Sequence, residues 1–84
     1  MSSREPHDTL VVTGEACPMN YVRTKLRLEE LRAGDLLLVV VSEGEAERNV
    51  PRSAREDGHE VLAVEQAGNG CVRVLIRKGG VGDA

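Results

Sequence analysis

One cysteine in this sequence stands where a reactive thiol could be made. Cys17 is followed by Pro18 and lies between a short β-branched run and a long run of helix-forming residues. Proline suits the first position of a helix, because its missing N–H would have no partner there and its φ is already helical. The N–H groups of the first turn and the helix dipole would then favour a thiolate. The pattern therefore predicts that Cys17 is a nucleophile.

The same local features leave a second interpretation of Cys17 open. A free cysteine is often a small buried apolar residue with no reactivity. Asn20 stands where a Cys-x-x-Cys motif would have its second cysteine, so dithiol exchange is excluded at this motif. Cys17 is thus either a single reactive thiol or a core residue.

The remaining cysteine and the histidines are weaker candidates. His59 could activate a thiol as a general base or bind a metal, although a histidine after a glycine more often caps a helix or bonds locally. His7 lies in the polar start of the chain, where we expect no function, and Cys71 is expected to pack at the start of the last strand. Their spacing fits no zinc site, and no glycine loop could bind a phosphate, so we expect no metal and no cofactor.

Composition excludes several classes of protein. The chain has 84 residues, a net charge of −3 and one aromatic residue, so it lacks the basic surface and stacking platforms of a nucleic-acid binder. Two cysteines are too few for a secreted disulfide framework. The first residues are polar, and the longest apolar run, at 36–41, is too short to span a membrane. We therefore expect a cytoplasmic protein.

Apolar runs and the breakers between them predict six elements. They are a strand at 9–13, a helix at 18–33 ended by Gly34, a strand at 36–41, a helix at 50–57, and hairpin strands at 60–65 and 72–76. Asn49 is expected to cap the second helix and Gly58 to stop it. Right-handed crossovers in this β-α-β-α-β-β order place both helices on one face of a four-stranded mixed sheet. We expect one domain over 1–84, with a flexible lead at 1–8 and a flexible tail at 79–84.

The first helix carries two apolar stripes. The inner stripe, expected to face the sheet, has helical spacing and consists of Tyr21, Thr24, Leu28 and Leu31. The outer stripe lies on roughly the opposite face and consists of Met19, Val22 and Leu26. Only one stripe can pack on a sheet in a two-layer fold. The outer stripe is therefore either a set of scattered surface residues or a partner-docking surface beside Cys17, with Val22 and Leu26 as its centre.

Taken together, these residues resemble the TusA/SirA family of small sulfur-carrier proteins over residues 9–80. The segment Gly14-x-x-Cys17-Pro18 is close to the family signature Gly-x-x-Cys-Pro-x-Pro. The other matching segments are Leu28-x-x-Leu31-x-x-Gly34, Asn49-Val50-Pro51 for the family's Asp-Ile-Pro, Gly58-His59-Glu60-Val61 for its Gly-His-x-Val, and Leu75-Ile76-Arg77-Lys78 for its closing strand. The order and spacing of these segments carry the resemblance.

The resemblance implies a fold and a function. The fold is a two-layer α/β sandwich, similar to the C-terminal domain of a translation initiation factor. In the family, the cysteine that matches Cys17 accepts sulfane sulfur as a persulfide from a cysteine desulfurase or rhodanese-like donor. It hands that sulfur to an acceptor protein in tRNA thiolation, cofactor biosynthesis or sulfur metabolism. Pro18, Met19 and Asn20 would support the thiol.

Two departures from the family pattern and one other interpretation stay open. Asn20 replaces the second proline of the signature, which leaves the branch of the family and the acceptor open, although its amide can bond within a first helical turn. Asn49 replaces the aspartate and should change the fold little. The alternative function is a non-catalytic protein-binding or regulatory module that keeps the fold without the persulfide chemistry.

Overall fold

The computed structural model describes residues 8–15 and 19–79. Its elements are β1 (Asp8–Val11), α1 (Met19–Glu29), β2 (Leu36–Ser42), α2 (Glu45–Glu56), β3 (Glu60–Gly68) and β4 (Cys71–Arg77). The strands form one sheet in the order β1-β2-β4-β3, in which β1 and β2 are parallel and β4 is antiparallel to both of its neighbours. The predicted element order and the four-stranded mixed sheet are confirmed.

The core lies between the two helices and one face of the sheet. Alternate residues of the two central strands are fully buried: Leu37, Val39 and Val41 in β2, and Val72, Val74 and Ile76 in β4. The intervening residues Leu38 and Val40 are only half-buried. Because successive strand residues face opposite sides, this difference shows that the helices cover one face, as predicted.

The hairpin between β3 and β4 is longer than predicted and its turn is tighter. Asn69 and Gly70 have φ of 57° and 75°, the left-handed values that a two-residue turn between antiparallel strands requires. The strands extend to Gly68 and from Cys71 on either side of this turn. At the other edge of the sheet, β1 is shorter than predicted at its end and begins at Asp8, within the predicted lead.

The predicted start of the second helix is wrong. α2 begins at Glu45, so Asn49 and Pro51 lie inside the helix and Asn49 is not its cap. Glu45 and Glu47 occupy the first turn, where the helix dipole favours acidic side chains, and the Glu47 carboxylate accepts the Gly44 N–H at 3.4 Å. The helix tolerates Pro51 at the loss of one main-chain hydrogen bond.

The end of α2 is where the sequence predicts it. Gly58 has a φ of 91°, and its N–H donates to the Arg55 carbonyl at 3.0 Å. The His59 N–H donates to the Ala54 carbonyl at 2.9 Å, which completes a Schellman motif. Glycine is required here because this motif needs a left-handed residue just past the helix.

The predicted end of the first helix is wrong by four residues. α1 ends at Glu29 instead of Ala33, and Gly34 is not its cap. The Asp35 carboxylate accepts the Arg32 N–H, and the Asp35 N–H donates to the Arg32 carbonyl at 2.9 Å. This turn replaces the last helical turn, and its Gly34, with a φ of 94°, donates to the Lys78 carbonyl beside the sheet.

Candidate functional site

The cysteine that the sequence singles out lies outside the described residues, together with Pro18. In the sequence, Cys17 stands two residues after Glu15 and two residues before Met19. The structure describes both of these flanking positions, which define an upstream and a downstream side of the site.

The upstream side is a turn fixed to the sheet. After β1, the Val12 N–H donates to the Val40 carbonyl at 2.8 Å, and the Glu15 N–H closes a turn onto the Val12 carbonyl at 3.2 Å. Gly14, with a φ of 81°, donates its N–H to Ser42 Oγ at 3.0 Å. The parallel strands β1 and β2 both end here. Ligand chemistry in open α/β sheets commonly lies at the carboxyl ends of the strands.

The downstream side is the first turn of α1. Met19 begins the helix and is 46% exposed, whereas Asn20 is only 2% exposed. Asn20 Oδ1 accepts the Tyr21 N–H at 2.6 Å, and Thr24 Oγ1 donates to the Asn20 carbonyl at 2.9 Å. The amide therefore bonds within the first turn, as expected. The sequence did not predict that Asn20 is buried. The two stripes were assigned from residues that carry apolar groups, and asparagine is polar.

An ion pair joins the two sides of the site. Arg23 Nε of α1 lies 3.5 Å from Glu15 Oε1 in the turn after β1. Because more than half of the Arg23 side chain is exposed, this pair stabilises the fold little. It joins the two described segments that flank residues 16–18.

The burial predicted for the two stripes is confirmed, although Leu31 lies beyond the end of α1. In the inner stripe, Thr24 and Leu28 are fully buried, and Tyr21 and Leu31 pack against the core. In the outer stripe, Met19, Val22 and Leu26 are 46%, 39% and 57% exposed. The helix thus presents an apolar surface that begins two residues after Cys17.

A groove of about 600 Å³ runs between α1 and α2 beside the outer stripe. Its lining consists of Tyr21, Val22, Lys25, Leu26 and Glu29 from α1, and Ser53, Glu56 and Asp57 from α2 and its end. Tyr21 Oη donates to Asp57 Oδ2 at 2.6 Å, which ties the two helices together. Burial, and then the hydrogen bond to Asp57, raise the pKa of Tyr21 above its ordinary value. Asp57 therefore has a specific partner on α1.

His59 lies at the other end of the sheet. Its neighbour Glu60 pairs with Arg77 in β4, and Arg77 pairs with Leu36, the first residue of β2. Leu36 and Ser42 are the two ends of β2, about 20 Å apart at the usual rise of a strand. His59 is thus far from the turn at Gly14.

The side-chain hydrogen bond of His59 reaches a residue 20 positions away in the sequence. Its Nδ1 accepts the Gly79 N–H at 3.0 Å. Burial lowers the pKa of His59, and the charge of Lys78 lowers it further. This is the structural role that the sequence favours for the residue.

Cys71 lies at the same end of the sheet as Gly14. It is half-buried, begins β4 and pairs in register with Ser42 of β2. Its Sγ lies 3.8 Å from the Asn69 carbonyl oxygen, to which the thiol donates. Among residues 8–15 and 19–79, no three His, Cys, Asp or Glu side chains are grouped to hold a metal. In the part of the chain that the structure describes, neither α1 nor α2 is long and apolar enough to cross a membrane.

Ser42 is the site-related residue that the sequence does not reveal. In the sequence it is simply the polar residue that follows the apolar run at 36–41. Its bond to Gly14 joins residues that are 28 positions apart, and no local pattern encodes such a contact.

Comparisons with known proteins agree on one family. The family model described as sulfurtransferase TusA matches residues 9–78. A candidate sulfur carrier protein of Archaeoglobus fulgidus is 43% identical over 88% of this chain and 84% of its own length. The candidate sulfur carrier protein YedF of Escherichia coli is 35% identical over 93% of this chain and all of its own length.

A solved structure supports the same assignment. The crystal structure of a SirA-like protein from Desulfitobacterium hafniense superposes with a TM-score of 0.73 at 30% identity. The match covers 86% of this chain and 97% of that protein. The chain therefore belongs to the TusA family of sulfurtransferases, together with SirA-like and sulfur carrier proteins.

Proposed function

We propose that this protein accepts sulfane sulfur as a persulfide on Cys17 and relays it from a donor protein to an acceptor protein. The observation that carries the proposal is that α1 begins at Met19, two residues after Cys17 in the sequence. The N–H groups and the dipole of a helix N-terminus stabilise an anionic sulfur, and the thiolate is the reactive form of a cysteine. Membership of the TusA family supports the same role.

The proposed reaction moves one sulfur atom without a net change of oxidation state. The Cys17 thiolate attacks the outer sulfur of a persulfide on the donor, such as a cysteine desulfurase or a rhodanese-like protein. A new S–S bond forms on Cys17, the S–S bond of the donor breaks, and the donor cysteine leaves as a thiolate. The transferred sulfur keeps its proton. A thiolate of the acceptor then attacks the outer sulfur on Cys17 in the same way, which returns Cys17 to its thiolate.

The residues beside Cys17 support this reaction in different ways. Asn20 accepts one main-chain N–H of the first turn, which holds that turn in its helical conformation. Pro18 would start the helix without an N–H group that needs a partner. Met19 is exposed and begins the outer stripe. The relay needs no cofactor, and it requires a reducing compartment such as the cytoplasm, where thiols persist.

We propose the outer stripe and the adjoining groove as the surface that docks the partners. Val22 and Leu26 contribute apolar area, while Glu29, Glu56 and Asp57 around the groove outnumber Lys25. A donor or acceptor that buried Leu26 would bring its own thiol close to the start of α1. The acceptor belongs to tRNA thiolation, cofactor biosynthesis or another branch of sulfur metabolism.

A second candidate function uses this surface without the thiol. The exposed outer stripe is also what a non-catalytic binding or regulatory module would present. The two functions differ in which residue is needed: Cys17→Ser abolishes a sulfur relay and leaves a binding module unaffected, whereas Leu26→Glu impairs both. Sulfur loading by a cysteine desulfurase and a pull-down with it, measured on both variants, separate them, because loading needs the thiol and binding does not.

The direct test of the relay is the intact mass of the protein after incubation with a cysteine desulfurase and cysteine. We expect a gain of one sulfur atom that dithiothreitol removes. The gain should be absent in Cys17→Ser and retained in Cys71→Ser, which removes the other cysteine. No gain with a desulfurase, and none with thiosulfate and a rhodanese, would contradict the proposal.

A further inference from the structure

We infer that Ser42 is a positioning residue for the thiol chemistry of Cys17, an inference that rests on the proposed function. The side chain of Ser42 lies at the end of β2, and its Oγ accepts the Gly14 N–H at 3.0 Å. Gly14 precedes Cys17 by three residues. Ser42 acts on the thiol through this turn and is not itself a reacting group.

Three described hydrogen bonds shape the turn. Of these three, only the bond from the Gly14 N–H to Ser42 involves a side chain. The Val12 N–H bonds to Val40 and the Glu15 N–H bonds to Val12, and both bonds join main-chain atoms that almost any sequence could supply. The bond to Ser42 depends on a hydroxyl. It holds Gly14 in a left-handed conformation, with a φ of 81°, and so fixes the direction in which the chain leaves β1 toward Cys17.

Ser42 is well placed to act as a rigid anchor. It pairs with Cys71 of β4, and the preceding Val41 is fully buried. The next residue, Glu43, donates its N–H to the Gly70 carbonyl at 2.9 Å, so the end of β2 is held on both sides of Ser42. Because the Ser42 hydroxyl is on a central strand, its hydrogen bond fixes the position of the turn relative to the sheet. Loss of the hydroxyl would leave the Gly14 N–H to water and let the turn reorient.

The test compares a hydroxyl with its isosteric replacement. Ser42→Thr keeps the acceptor and Ser42→Val removes it with nearly the same shape, and both are made in a Cys71→Ser protein so that Cys17 is the only thiol. We measure the pH dependence of iodoacetamide alkylation and the rate of sulfur acceptance from a cysteine desulfurase. Ser42→Val should move the alkylation midpoint to higher pH and slow sulfur acceptance about fivefold, the usual effect of one hydrogen bond.

Controls separate positioning from general loss of structure. Thr9→Val removes a hydroxyl from an exposed position in β1, which pairs with Leu38 and not with the end of β2, and should leave both measurements unchanged. Ser42→Thr should retain the values of the Cys71→Ser protein. A stability difference alone would not shift the alkylation midpoint of the folded protein, so the pH profile reports on the environment of the thiol.

Each outcome decides the inference. If Ser42→Val alkylates and accepts sulfur like Ser42→Thr, Ser42 has no positioning role, while the relay on Cys17 stands. If both variants are slowed equally, the effect comes from shape and the inference is also wrong. If the Cys71→Ser protein itself accepts no sulfur, the proposed function fails and the inference fails with it.

Discussion

At the residue scale, the start of α1 is organised by a buried amide. Asn20 is 2% exposed, and its side-chain oxygen accepts the Tyr21 N–H. Its main-chain carbonyl accepts a hydrogen bond from the Thr24 hydroxyl. A polar group that is buried and hydrogen-bonded specifies one geometry, because any other geometry would leave it without a partner. The family signature has a proline at this position. In this chain the Asn20 side-chain oxygen holds the first turn through its hydrogen bond with the Tyr21 N–H.

His59 gives a prediction at the same scale. Its pKa is lowered in the folded protein by burial and by Lys78, so below a pH of about 6.5 the unfolded chain binds more protons at this residue. The stabilisation from neutral His59 is therefore present above that pH and is lost as pH falls toward the lower, folded pKa. Protonation would also abolish the acceptor for the Gly79 N–H.

The measurement is urea unfolding at pH 7.5 and pH 5.5. Wild type should be less stable at the lower pH, and His59→Gln should show a smaller difference between the two. His7→Gln changes the other histidine and should behave like wild type. An equal pH dependence in His59→Gln and wild type would assign the loss of stability to other groups.

At the element scale, α1 has two faces with two tasks. The inner stripe completes the core, and the outer stripe leaves apolar surface beside a groove with more acidic than basic groups. The bond between Tyr21 and Asp57 holds the two helices that form this groove. A helix that only covered a sheet would not need an outer apolar stripe, so the docking interpretation explains more of the sequence than scattered surface residues do.

Docking predicts a selective effect of Leu26→Glu. The variant should slow sulfur transfer from a cysteine desulfurase at least about tenfold, because a buried leucine typically contributes more than one kcal/mol at an interface. Loading from glutathione persulfide, which needs no protein docking, should be unchanged. Val64→Glu is the matched control, since Val64 is 42% exposed on β3, the edge strand opposite β1. Equal slowing by both variants, or slowing with the small donor, would contradict docking through α1.

At the scale of the whole molecule, the turn at Gly14 and the contacts that hold α1 to the end of β4 lie at opposite ends of the sheet. β1 and β2 end where Gly14 meets Ser42, whereas the opposite end of the sheet holds α1 to the last strand. There the Lys78 Nζ donates to the Leu28 carbonyl at 2.7 Å, near the C-terminus of α1, where the helix dipole favours a positive charge.

This separation predicts that stability and sulfur chemistry can be changed independently. Lys78→Met keeps most of the side-chain length and removes the charged donor, so it should lower the free energy of unfolding by about 1–2 kcal/mol. Its rate of sulfur acceptance on Cys17 should match wild type under conditions where the protein is folded. Urea unfolding and the desulfurase assay measure the two quantities. A slower reaction in the folded variant would show that the two ends of the sheet are coupled.

The elements that could be predicted from the sequence are those marked by residues close together in the chain. Apolar runs, Gly58 after α2 and the Asn69-Gly70 pair mark elements through nearby residues, and those elements are present. The predicted start of α2 was too late because Asn49 and Pro51 form a plausible helix start of their own. Acidic residues in the first turn and the burial of Ala46 extend the helix back to Glu45. The contacts that build the site and its surroundings join residues 28 and 36 positions apart, from Gly14 to Ser42 and from Tyr21 to Asp57. The topology that brings such partners together is not visible in a local pattern.

One sulfur atom of this protein is proposed to carry the cargo, and the position of the cargo on the chain can be measured. Protein loaded by a cysteine desulfurase is alkylated with iodoacetamide, digested and analysed by tandem mass spectrometry. The additional sulfur should appear between Cys17 and its alkyl group, with Cys71 alkylated directly. Additional sulfur on Cys71 with none on Cys17, or on neither residue, would contradict the account.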